Sequence, residues 1–149
     1  MASLERVREL VAREHGLAVV TTPRPDGSMP ASVVNAGVLD HPVTDEPVVA
    51  FVARGGAKKL ANLRARPRAT VVIRVGWEWA AVEGTAELVG PDDPLTGFDP
   101  DAVPELLRDV FSAAGGTHDD WDEYDRVMAS ERRTAVLVRP ERVYSNPGA

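Results

Sequence analysis

Six short apolar segments, each bounded by turn residues, constrain this chain more than any other feature. They are Leu17 to Thr22, Pro30 to Leu39, Val48 to Arg54, Ala69 to Val75, Ala81 to Leu88, and a last one interrupted near Pro140, from Ala135 to Val138 and Arg142 to Tyr144. The first two flank Pro23-Arg24-Pro25-Asp26-Gly27-Ser28, where proline and glycine stand as turn geometry requires, so they read as a hairpin. In Ala81 to Leu88, Val82, Gly84, Ala86 and Leu88 alternate with Ala81, Glu83, Thr85 and Glu87, which gives one buried and one wet face. Strands this short, joined by hairpin-type links, favour a mainly antiparallel barrel with helices packed outside it.

The helices fall between and around these strands. Ser3 is placed to cap a first helix with Leu4, Val7, Leu10 and Val11 on one face, closed by His15-Gly16. A second, from about Ala57 to Ala65, buries Leu60 and Leu63 and stops before Pro67. Asp101 to Ala113 carries Val103, Leu106, Leu107, Val110 and Phe111 on one stripe, and Gly115-Gly116 closes it. Thr117, with Asp120 three residues on, reads as a capping box opening a fourth helix to about Arg132. The predicted fold class is mainly β (α+β): a six-stranded antiparallel split barrel with flanking helices, residues 1–149 forming one domain.

Composition narrows the function. No apolar run approaches the roughly 20 residues that span a bilayer. Met1 to Glu14 alternates charged and apolar residues, unlike a signal peptide or anchor. The absence of cysteine rules out thiol chemistry and fits a cytoplasmic protein. A net charge of −6 disfavours nucleic acid as a partner. The positive charge is concentrated: Arg54, Lys58, Lys59, Arg64, Arg66, Arg68 and Arg74 occur in a segment with no acid, while acids crowd Asp92 to Asp125. A local basic zone on an acidic protein suits a small anion better than a polymer.

Arg54-Gly55-Gly56-Ala57-Lys58-Lys59 lies between a strand and a helix start. There the glycines let backbone approach, the helix amides point outward and the lysines add charge, which together make a phosphate cradle. The competing reading is a solvated cationic face. Neither a Walker loop nor a G-x-G-x-x-G fingerprint occurs. Ser32 and Asn35 are polar residues on an otherwise apolar strand and need partners, either backbone near Gly37 or a ligand edge. Trp77 and Trp79 stand two apart, so on a strand they would share a face, suited to the core, a dimer interface or a flat-ring pocket. His118-Asp119-Asp120 lacks metal-loop spacing, and no catalytic partner stands at diagnostic spacing from His15 or His41.

The chain resembles the split-barrel proteins of the pyridoxamine 5′-phosphate oxidase-like superfamily, in particular the small actinobacterial oxidoreductases that use the deazaflavin coenzyme F420 in place of FMN. The likeness runs through Gly16-Leu17-Ala18-Val19-Val20-Thr21-Thr22, Pro25-Asp26-Gly27, Arg54 to Lys59, Ala61 to Ala69 and Val82 to Glu87. Its strongest mark is Arg-x₄-Lys-x₂-Asn-Leu-x₃-Pro after a strand. The resemblance implies a homodimer with a flavin-type cofactor in each groove between subunits. Its phosphate would lie on Arg54, Lys58 and Lys59, and its ring along Ser32, Val33, Asn35, Val52 and Ala53. Trp77 and Trp79 would wall the substrate side, from the partner subunit. Many deazaflavin users carry a second basic residue where this chain has Ala57, with Lys58 beside it. The implied activity is hydride transfer between F420 and a small, planar, electron-poor substrate. The alternatives are an FMN-dependent oxidase or reductase and a non-catalytic cofactor binder or carrier.

Overall fold

A computed structural model describes residues 3–146. Six strands, β1 (Leu17–Thr21), β2 (Ala31–Asp40), β3 (Pro47–Ala53), β4 (Arg68–Val75), β5 (Glu78–Val89) and β6 (Thr134–Ser145), close into a barrel in the order β1-β2-β3-β6-β5-β4. Every pairing is antiparallel. Four helices, α1 (Leu4–Arg13), α2 (Lys58–Ala65), α3 (Val103–Ala113) and α4 (Trp121–Ser130), flank it. The expected six-stranded antiparallel α+β barrel is therefore the fold.

Inward side chains of all six strands form one core with Phe51, Val71, Ile73, Val82 and Val136 at its centre. The helix before β1 adds Val7 and Leu10 to that core, and the helix after β3 adds Leu60 and Leu63. These helices belong to opposite barrel ends, because α1 leads into the start of β1 whereas α2 links the end of β3 to the start of β4. A second core lies outside the barrel, where Val48, Ala50 and Leu137 meet Leu106, Leu107 and Val110 of α3 and Tyr124 of α4. Helices thus cover the outward side of β3 and β6. The outward side of β1 and the first half of β2 stays open, with Leu17, Val19 and Val33 exposed.

Several local expectations change. Ser3 stands before α1 without a side-chain cap bond. The fourth helix starts at Trp121 rather than Thr117, because Asp120 is the capping residue: its carboxylate accepts from the Glu123 amide at 3.1 Å. The last strand is continuous. A bulge opposite Glu83/Gly84 leaves Glu141 without a ladder partner next to Pro140, which pairs with Gly84, where a Cβ would stand 1.8 Å from the Arg139 carbonyl oxygen. β5 starts at Glu78, earlier than the alternation suggested, so Trp79 is a strand residue while Trp77 sits in the turn after Gly76.

Candidate functional site

The basic turn follows β3 directly. Gly56 has φ +83°, the left-handed region that glycine enters without strain. Gly55 is pressed against the turn between α4 and β6: its amide donates to the Glu131 carbonyl at 3.0 Å, and a Cβ on it would stand 2.7 Å from that of Arg132. The turn then opens α2, whose N-cap is Ala57, with no side-chain cap. The first amides of α2 are left for an external acceptor.

Ion pairing sorts the cations of the acid-free segment. Arg64 makes a two-pronged bond to Asp93 at 2.8 and 2.7 Å, and Arg68 reaches Glu141 at 2.7 Å. Arg66 donates to the Pro23 carbonyl and Arg74 to that of Gly76. Among the described residues, Arg54, Lys58 and Lys59 have no carboxylate partner. Partial burial first, and the nearby charge of Arg133 second, hold the Lys59 ammonium below the usual lysine range.

Lys58 and Lys59 line a cavity of about 420 Å³ together with Ser32, Thr22, Arg24 and Asn62. Asn62 Nδ2 donates to Thr22 Oγ1 at 3.3 Å, tying α2 to the end of β1. A second cavity, about 450 Å³, lies between β2–β3 and the α3–α4 connection and includes Asn35, Val52, Phe111, Tyr124, Met128 and Arg133. A larger depression, about 780 Å³, is elsewhere. It carries Glu46, Glu87 and Glu141, and its Arg139 is already bonded to Glu87 at 3.0 Å, a poor setting for phosphate.

The structure therefore divides the sequence-named residues. Ser32, Lys58 and Lys59 share the first cavity, while Asn35 and Val52 share the second. Val33 lies between Ser32 and Asn35 on β2, 66% exposed. Arg54 is exposed at the head of the turn. Ala53 points into the barrel core at 2% exposure and can offer a ligand only its backbone. Asn35 Nδ2 donates to the His15 carbonyl at 2.9 Å, so the backbone partner exists, though at His15 rather than near Gly37. Trp77 is 93% exposed, and Trp79 packs edge-on against Tyr144, with 6.0 Å between ring centres. Both lie at the opposite end of the β4–β5 hairpin from α2, so within one subunit the structure does not bring them to Lys59.

Two cations escaped the sequence reading. Arg24 sits in the β1–β2 turn, where its position between two prolines was the available signal. Arg133 comes from the far end of the chain and carried no motif. His41 also gains a partner that spacing could not show. Its Nδ1 accepts from the Val43 and Thr44 amides at 3.1 and 3.2 Å, so its proton is on Nε2, which donates to Glu87 at 3.0 Å.

Solved structures share this architecture. A conserved hypothetical protein of Mycobacterium tuberculosis aligns at TM-score 0.69 and 19% identity, covering 97% of this chain and 84% of its own. A protein titled F420 reductase aligns at TM-score 0.60 and 16% identity, with 91% and 94% covered. A pyridoxamine 5′-phosphate oxidase-related, FMN-binding protein of Nostoc punctiforme aligns at TM-score 0.62 and 16% identity, with 95% and 78% covered. At these identities the likeness establishes the fold. The family model described as pyridoxamine 5′-phosphate oxidase matches residues 3–146, and the chain belongs to that family.

Proposed function

We propose that this protein is a homodimeric oxidoreductase that serves hydride transfer between bound coenzyme F420 and a small, planar, electron-poor substrate. Members of the family are mostly oxidoreductases that bind flavin or deazaflavin. The observation that carries the reading is the set Arg54, Lys58 and Lys59. Among the described residues these cations have neither an acid partner nor a side-chain hydrogen bond, unlike Arg66 and Arg74, which donate to carbonyls, and they stand at the uncapped start of α2. Three unpaired cations and open amides fit a phosphate monoester or diester.

From that anchor the cofactor ring would follow β2 and β3, over Ser32, Val33 and Asn35 and beside Val52 and Ala53. The bound cofactor supplies the hydride chemistry, and the protein holds, orients and screens it. That division fits a site with no acid–base pair. The open apolar face of β1 and β2 is the natural seat of a second copy: Val19 pairs with Val33 on one side and Val72 on the other, and Leu17 with Asn35. In such a dimer Trp77 and Trp79 would reach the ring only from the partner subunit.

FMN is the second reading, and one observation favours it. Asp93 and Glu141 neutralise Arg64 and Arg68, two cations that could otherwise have met the polyanionic tail of F420. Arg24 and Arg66, which have no carboxylate partner among the described residues, remain for that tail. The test is a titration of the purified protein with F420, FMN, FAD and haem side by side. Tightest binding of F420 supports the proposal. Tightest binding of FMN transfers it to the second reading, and no affinity for either ends both.

A further inference from the structure

We propose that the cavity between β2–β3 and the α3–α4 connection binds a planar aromatic carboxylate, with Arg133 holding its charge. The inference rests on the oxidoreductase reading in naming this ligand as the substrate class, and it seats the ligand against Asn35 and Val52, beside the proposed cofactor ring; its binding is tested on cofactor-free protein.

The cavity measures about 450 Å³, a volume that suits a bicyclic ring system. Val52, Val110, Phe111, Tyr124 and Met128 make its walls apolar and aromatic. Phe111 and Tyr124 lie tilted at 42° with centroids 5.1 Å apart, and the Tyr124 hydroxyl is turned away to donate to the Leu107 carbonyl at 3.1 Å. His15, Asn35, Thr117 and Arg133 add polar groups to these apolar walls.

One full charge lines this cavity: Arg133. Its Nε donates to Glu131 Oε1 at 2.8 Å and Nη2 lies at the same distance from that oxygen, which fixes one edge of the guanidinium and leaves Nη1 uncommitted. Glu131 does not neutralise the neighbourhood, because Lys59 also stands within the field of Arg133 and has no carboxylate partner among the described residues. Asp125, the acid whose charge acts on Tyr124, is held by Arg108 at 2.9 and 2.5 Å. Arg133, with Nη1 uncommitted beside an aromatic cavity, and unpaired Lys59 within its field are complementary to an incoming anion with a flat apolar body. Toward the other end, Asn35 commits Nδ2 to the His15 carbonyl and keeps Oδ1 free, a place for a polar substituent on that body.

The experiment compares 2-naphthoate with the neutral 2-naphthamide by titration calorimetry on cofactor-free protein, using the parent, R133Q, R133K and K59A. The expected result is that the parent prefers the carboxylate by about tenfold, the scale of a charge-assisted bond. R133Q should lose that preference while binding the amide as the parent does, which also shows that it is folded. R133K should recover part of the preference, and K59A should keep most of it. Equal affinity for the two compounds in the parent, or binding of neither, overturns the proposal. So does an R133Q variant that loses affinity for FMN and inorganic phosphate but keeps its carboxylate preference, since Arg133 would then belong to the phosphate cradle. Carboxylate preference in a protein that binds neither FMN nor F420 would sink the cofactor reading and leave this one standing.

Discussion

Gly37 on β2 lies against the backbone of Ala113 at the end of α3, where a Cβ on Gly37 would stand 2.3 Å from the Ala113 carbonyl carbon. This contact lets α3 descend onto the sheet, and it sets Phe111, Ala114 and Gly115 above Asn35 and Val52 as a wall of the second cavity. Gly37→Ala must push α3 away against backbone that cannot yield. We expect a loss of about 1–3 kcal/mol, the usual scale for overpacking, read as a lower urea midpoint with an unchanged slope. A midpoint equal to that of the parent would show that α3 is not seated by this contact.

Lys59→Ala should weaken binding of F420 or FMN by about 1–3 kcal/mol, as expected for losing a charge-assisted bond. Folding should be unchanged or slightly more stable, because the ammonium is partly desolvated and faces Arg133. Thermal unfolding without ligand and a binding titration separate the two effects.

The same residue gives binding a pH dependence with a definite sign. The lowered ammonium loses its proton at a lower pH than an ordinary lysine, and the neutral amine cannot hold phosphate. Binding therefore takes up protons and weakens as pH rises through that range. K59A should flatten this alkaline limb, and titrations across alkaline pH check it.

Salt should narrow the advantage of F420 over FMN, since the extra tail charges meet cations across water, each contributing at most ~1 kcal/mol. Arg64 and Arg68 already have acid partners, so R64Q and R68Q should leave the preference where it was. R24Q and R66Q should reduce it. Equal affinity for the two cofactors at low ionic strength would favour the FMN reading.

Val33 is the most exposed aliphatic residue of the open face and sits directly across from Val19. If this face seats the proposed dimer, Val33→Asp should shift sedimentation from dimer to monomer and weaken cofactor binding, because that dimer would share the groove. A V33D protein that sediments as the parent does would place the subunit interface elsewhere.

Local chemistry along the chain determined the fold. The alternation of Ala81 to Leu88, the proline–glycine turn before Ser28 and the Leu60/Leu63 pair before Pro67 each specify an element, and hairpin links leave few ways to order the strands. The basic turn was legible for the same reason: Arg54 to Lys59 are neighbours in sequence, and their turn needs no distant help beyond Gly55 meeting Glu131. What only the tertiary structure decided are the pairings made across long sequence separations. Asp93 and Glu141 take Arg64 and Arg68 out of the basic segment, and Glu87 meets His41. The turn at Gly76 lifts Trp77 off the strand that holds Trp79, and Ala53 turns inward while Val52 turns outward. The pairing of β3 with β6 brings Arg133 within the field of Lys59. Net charge over a window is read from composition, but whether a given charge is free depends on which side chains the closed barrel brings within ion-pair distance.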